Sequence, residues 1–180
     1  VSFGIGGYLT ALITGKLRTL GYLPPQPLDF IIVMVFSALC AGLFGALKGR
    51  LTVRLRPDYL AVVTLALGLL LRQTAINLKE ITGGTGGIPA VPPPRLFSVP
   101  IAGISAQYYL VFIITIIAVF AMRRLITSPI GRAWLAASED EVAAEATGIN
   151  VARYKTLAMV LSSAIAGVAG SLYAGTLAYV

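Results

Sequence analysis

Four of the chain's seven acidic residues, Glu139, Asp140, Glu141 and Glu145, stand between positions 139 and 145, with Arg123, Arg124, Arg132, Arg153 and Lys155 around them. A charged segment pinned between two long uncharged runs must be exposed to water, so it is where the chain can meet a soluble partner. The chain has no His, which removes the commonest general base and metal ligand. Arg72 is a lone charge inside the apolar run from Tyr59 to Leu78, and Thr82-Gly83-Gly84-Thr85-Gly86-Gly87 offers bare backbone amides. A P-loop ends in Gly-Lys-Ser/Thr between a strand and a helix, and neither feature is present, so no ATPase site is expected. Cys40 is the single cysteine, which leaves no disulfide or cysteine metal cluster within the chain.

The elements that must position these residues are apolar. Of 180 residues 57% are hydrophobic and 12% charged, whereas soluble domains are about a quarter charged. The solvent is a lipid bilayer. About 18 uncharged residues cross a hydrocarbon core of about 30 Å as a helix. Phe30 to Leu47 meets that length, and Leu96 to Met122 and Thr156 to Val180 exceed it. Tyr59 to Leu78 qualifies if Arg72 is tolerated, and Val1 to about Leu20 is a shorter candidate. The expected fold is all-α, a polytopic transmembrane helical bundle of about five spans. Both ends lie inside apolar runs, which suggests a fragment of a larger protein.

Lys48, Arg50, Arg54 and Arg56 follow the second apolar run closely. Such a cluster suits nucleic acid or anionic lipid, but directly after a span it reports topology. With residues 48 to 58 cytoplasmic, alternation places 123 to 155 there too, and the two loops hold nine of the fourteen Lys and Arg. Arg72 then falls about 20 Å along its helix, near the outer interface, where it snorkels or lines a solute path. The glycine-rich stretch with Thr82, Gly83, Gly84, Gly86 and Gly87 is a mobile outer turn or a cavity-lining backbone. Gly42 and Gly45, and later Ser163, Gly167, Gly170 and Ser171, put small residues at three- and four-residue spacing, the pattern of closely packed or sliding helices.

Within residues 123 to 155, Ser128 or Pro129 can start a helix. Ser138 and Glu141 have capping-box spacing, with Glu139, Asp140 and Glu141 in the first turn and Gly148 with Asn150 as the stop. Ala143, Ala144 and Ala146 give that helix a small-residue surface. It either docks in a groove of another protein or is a solvated connector.

The run Gly131-Arg132-Ala133 through Glu139-Asp140-Glu141-Val142-Ala143-Ala144-Glu145-Ala146-Thr147-Gly148 to Arg153-Tyr154-Lys155 resembles the cytoplasmic loop of bacterial ABC importer permeases of the branched-chain amino acid type, especially the M-type subunit. It contains a form of their Glu-Ala-Ala-x-x-x-Gly motif, with Val142 at the motif's glutamate and Glu141 one place earlier. Arg56 to Leu65, and Ile81 to Gly84 with Gly87-Ile88, are similar to segments of the same permeases in the same order. Relatives with a glutamate three residues before the arginine have it where this chain has Leu69.

The resemblance implies one permease domain over 1–180, in the bacterial inner membrane, with 123–155 as its cytoplasmic coupling loop. Glu139, Asp140, Glu141, Ala143, Ala144, Glu145 and Gly148 would meet the ATPase. The implied partners are a second permease subunit, two cytoplasmic ATPase subunits that bind ATP and Mg, and an extracytoplasmic solute-binding protein. The cargo would be branched-chain amino acids, with urea or amides as the alternative. An ATP-independent channel or carrier filtered by Arg72 and the glycine-rich turn is the rival mechanism. A membrane-embedded enzyme would need a cluster of ionisable groups at membrane depth, which the sequence lacks.

Overall fold

The structure, a computed structural model, describes residues 1–16, 30–52, 57–84, 95–96, 99–100 and 103–177. The helices are α1 (Ser2–Ala11, continued by a π-helical turn over Leu12–Lys16), α2 (Phe30–Thr52), α3 (Pro57–Asn77), α4 (Lys79–Thr82), α5 (Ile104–Ile126), α6 (Pro129–Glu139), α7 (Glu141–Ala146) and α8 (Val151–Leu177). A two-residue antiparallel pair, β1 (Arg95–Leu96) and β2 (Val99–Pro100), precedes α5. A helix stands at each of the five expected positions. The stretches Phe30–Leu51, Ile104–Ile126 and Val151–Thr176 are long and apolar enough to cross a membrane, and Ala61–Asn77 is a shorter apolar helix. The last span begins at Val151, five residues before the expected Thr156.

The centre of the molecule is α1, α2 and α8, packed through small residues. On α2 the buried positions Val33, Ser37, Ala41, Gly45 and Gly49 recur every fourth residue, and so do the exposed Leu39, Leu43, Leu47 and Leu51. Large apolar side chains outside and small ones inside invert the soluble pattern, as lipid requires: the tails solvate leucine, so helices gain by close backbone approach instead. Gly45 is opposite Met159 and Ser163, and a Cβ there would meet the Met159 carbonyl oxygen and Ser163 Cβ at 2.6 Å. Gly42 lies in ordinary contact range of Ala164 and Val160, while Gly167 faces Ala41.

Toward α1 the same face of α8 continues: Gly167 meets Gly6, and Gly170 meets the Phe3 carbonyl and Gly7 of α1. Ser2 Oγ donates to Ser163 Oγ (3.0 Å), and Thr10 Oγ1 lies 2.9 Å from Ser171 Oγ. Ser2–Ser163, Gly6–Gly167 and Thr10–Ser171 share one separation of 161 residues, so α1 and α8 run parallel in a single register. The Thr10 hydroxyl is also 3.1 Å from Ser37 Oγ, and Thr10, Ser37 and Ser171 are fully buried. One hydroxyl thus ties three helices where no water competes.

By contrast, α5 has no buried residue. Its exposed Ile113, Ile116, Ile117 and Phe120, like Leu65, Leu69 and Leu70 of α3, are lipid-compatible surface.

Candidate functional site

Two regions gather the residues singled out from the sequence. The first is the corner between α5 and α8. Ser128 caps α6 with its side chain accepting from the Gly131 amide, and Pro129 occupies the first helical position, as expected. Gly131 is pressed onto the Ile126 carbonyl at the end of α5, a place with no room for a Cβ. Its lack of a side chain lets α6 fold tightly off the span.

The expected capping box at Ser138 is not formed. Ser138 Oγ donates back to the Leu135 carbonyl (2.7 Å), and Asp140 does the capping, its Oδ1 accepting from the amides of Val142 (2.8 Å) and Ala143 (3.1 Å). A carboxylate is a stronger acceptor there than a hydroxyl and also meets the positive helix end. Asp140 adopts extended backbone between α6 and α7, so Glu139 ends one helix and Glu141 opens the next. Gly148 follows α7 at φ 86°, but Asn150 belongs to the next element: its Oδ1 accepts from Arg153 N at the start of α8.

This corner is tied to α8 from both sides. Trp134 Nε1 donates to the Tyr154 carbonyl (2.8 Å), and Lys155 Nζ donates to Glu141 Oε1 at 2.5 Å. Ala144 is the buried contact of α7, while Glu139, Asp140, Val142, Ala143 and Glu145 are exposed, Val142 at 79%. Glu145 has no ion-pair partner among the described residues. Trp134 was missed at the sequence level; a lone indole in a charged segment was the available signal.

The second region is a crevice between α1 and the α3–α4 elbow. It encloses about 670 Å³ and is lined by Tyr8, Leu12, Gly68, Leu71, Arg72, Thr82 and Gly84 among others. The α3 helix breaks at Leu78, and Thr82 Oγ1 donates back to the carbonyls of Ala75 (2.5 Å) and Leu78 (2.9 Å), which fixes the elbow. Gly83 and Gly84 follow in left-handed conformation (φ 76° and 65°), the backbone that glycine adopts without strain. Arg72, Thr82 and Gly84 come together on one cavity wall; Gly83 is exposed beside it, and Gly86 and Gly87 lie outside the described residues. Arg72 has no ion pair or hydrogen bond among the described residues. A smaller cavity of about 350 Å³, lined by Ser2, Lys48, Thr64, Ser162 and Ser163, shares Val1 with the larger one.

Among the described residues no group of three or more His, Cys, Asp or Glu is placed to hold a metal ion.

Apolar helices packed through glycine and serine, three of them long and apolar enough to cross a membrane, define a helical membrane protein. The family described as "Branched-chain amino acid transport system / permease component" matches residues 1–180, and the chain belongs to it. The chain is similar to the high-affinity branched-chain amino acid transport system permease protein LivM of Escherichia coli (strain K12), 32% identical over 201 residues, covering 99% of this chain and 45% of that protein. The protein of the same name from Salmonella typhimurium is also 32% identical, with the same coverage. The nucleoside ABC transporter permease protein NupC of Lactococcus lactis is 30% identical over 155 residues, covering 78% of this chain and 47% of that protein. The chain therefore spans about half the length of these relatives. No solved structure matches it.

Proposed function

We propose that the chain is the membrane-embedded part of a permease subunit of an ATP-binding-cassette importer that carries branched-chain amino acids across a bacterial inner membrane. The observation that carries this reading is the family match over residues 1–180, together with relatives named for that transport. The chain supplies route and coupling; partner ATPase subunits bind ATP and Mg, and a second permease and an extracytoplasmic solute-binding protein complete the importer. The basic loop after α2 and the segment 123–155 face the cytoplasm. There α6 and α7 dock on the ATPase through Glu139, Asp140, Glu141, Ala143, Ala144, Glu145 and Gly148.

The coupling is mechanical. Trp134 and Lys155 fasten the docking corner to the first turns of α8, and α8 is packed against both α1 and α2. A push on α7 therefore reaches the bundle as a rigid-body displacement. Gly131, held against Ile126, transmits the same push to α5.

The test is uptake of labelled leucine into proteoliposomes by the full-length parent assembled with its ATPase and binding protein, with urea, short amides and nucleosides as competitors. Saturable leucine uptake that requires ATP is expected. Uptake of urea, an amide or a nucleoside alone keeps the mechanism and changes the cargo; the similarity to NupC bears on the nucleoside outcome. Uptake without ATP by an assembled complex overturns the importer reading in favour of a channel or carrier.

A further inference from the structure

We infer that the crevice between α1 and the α3–α4 elbow is a binding site on the solute route, in which Arg72 takes the carboxylate of a small aliphatic amino acid and the apolar wall takes its side chain. The inference rests on the importer reading and assigns it a site. Ligand pockets of roughly 300–1,000 Å³ are mostly apolar with a few placed polar groups, and this one, at about 670 Å³, fits that description. Leu9, Leu12, Leu71 and Ile76 supply the apolar wall, and the hydroxyls of Tyr8 and Thr82 supply acceptors for the amine.

Charge decides the class of occupant. Arg72 is the cation of this wall, and no acidic side chain lines it among the described residues. A guanidinium that has no ion-pair partner among the described residues and stands beside an apolar cavity suits bidentate recognition of a planar carboxylate. The neighbouring cavity adjoins the crevice at Val1. Thr64 and Gly68 stand one helical turn apart on α3 and line the smaller and the larger cavity respectively. At Gly68 the crevice is narrow, since a Cβ there would already touch Val1 at 3.5 Å. The smaller cavity carries the hydroxyls of Ser162 and Ser163 and the Lys48 side chain, so a carboxylate leaving Arg72 passes toward a second polar station.

The experiment uses the full-length parent in its assembled complex, with every native cysteine of that complex, Cys40 included, replaced by Ala and with Ala75→Cys introduced, so that one thiol reports on the cavity. Millimolar leucine should slow modification of that thiol by a charged thiosulfonate, and leucinamide, which lacks the carboxylate, should not. Adding Arg72→Gln should weaken the protection by leucine about tenfold or more, the loss of a charge-assisted pair, and Arg72→Lys should restore part of it. Gly68→Leu, which fills the narrow point, should stop ATP-driven uptake in complexes that still copurify with the ATPase. Equal protection by leucinamide, or none by leucine while ATP-driven leucine uptake persists, overturns the site and leaves the importer reading standing. Absence of ATP-driven uptake of any amino acid by the parent complex overturns the reading on which the site rests.

Discussion

Gly4 and Gly6 lie two residues apart on α1, yet the same substitution should act on them with opposite sign. A Cβ at Gly6 would overlap the Gly167 carbonyl oxygen and stand 2.7 Å from Gly167 Cα, whereas one at Gly4 meets nothing within 4 Å. To admit the methyl, α1 and α8 must part by roughly 1 Å, an overpacking cost of about 1–3 kcal/mol. The same opening stretches Ser2–Ser163 and Thr10–Ser171, now 3.0 and 2.9 Å, and interhelical hydrogen bonds in membranes are worth about 0.6 kcal/mol each. Against this, alanine gains about 0.8–1.0 kcal/mol of helix propensity over glycine.

Gly6→Ala should therefore lose about 1–3 kcal/mol, and Gly4→Ala should gain up to about 1 kcal/mol from propensity alone. The assay is reversible unfolding of the full-length parent by SDS in mixed micelles, followed by circular dichroism. If the two variants shift the midpoint in the same direction by similar amounts, α1 does not sit on α8 through Gly6 and the packing argument fails.

Thr10→Val keeps the shape and removes the hydroxyl shared by Ser37 and Ser171; it should cost about 1–2 kcal/mol in the same assay, with Thr10→Ser recovering most of it. Asp140→Ala should destabilise α7 by about 1 kcal/mol, seen as faster hydrogen exchange at the amides of Val142 and Ala143, while Ser138→Ala leaves their exchange unchanged. Glu141→Gln should change stability by less than about 1 kcal/mol, because the pair with Lys155 is exposed, and a double-mutant cycle with Lys155→Gln measures that coupling directly.

Legibility followed the range of the interactions. Helix positions and membrane class were readable because hydropathy and length act locally: Phe30 opens a helix where the uncharged run begins, while Ile104 opens one eight residues after the expected Leu96 and Val151 one five residues before the expected Thr156. The stop at Gly148 and the start at Ser128 and Pro129 were readable for the same reason, since caps involve neighbours only a few residues away. At Ser138 and Asp140 the local rule met two competent acceptors in one stretch, and the sequence pattern favoured the hydroxyl where the carboxylate caps. What sequence alone left out is the long-range pairing. Thr10 and Ser37 look like ordinary polar residues in apolar runs, and their value comes from meeting each other and Ser171 across three helices. Arg72, Thr82 and Gly84 were each noticed, but only the break at Leu78 puts them on one wall.

The seam between α1 and α8 also has translational symmetry. Ser2, Gly6 and Thr10 on one helix and Ser163, Gly167, Ser171 and Gly175 on the other repeat every four residues. Moving α8 by one repeat, about 6 Å along its axis at about 1.5 Å per residue, would set Gly6 beside Ser171 or Ser163, small against small, and would part the rings of Phe3 and Tyr173, now 5.3 Å apart between centroids. The two hydroxyl pairs act as a detent that selects the present position. At the far end of the row Phe30 of α2 packs on Gly175, its ring 2.9 Å from where a Cβ would stand.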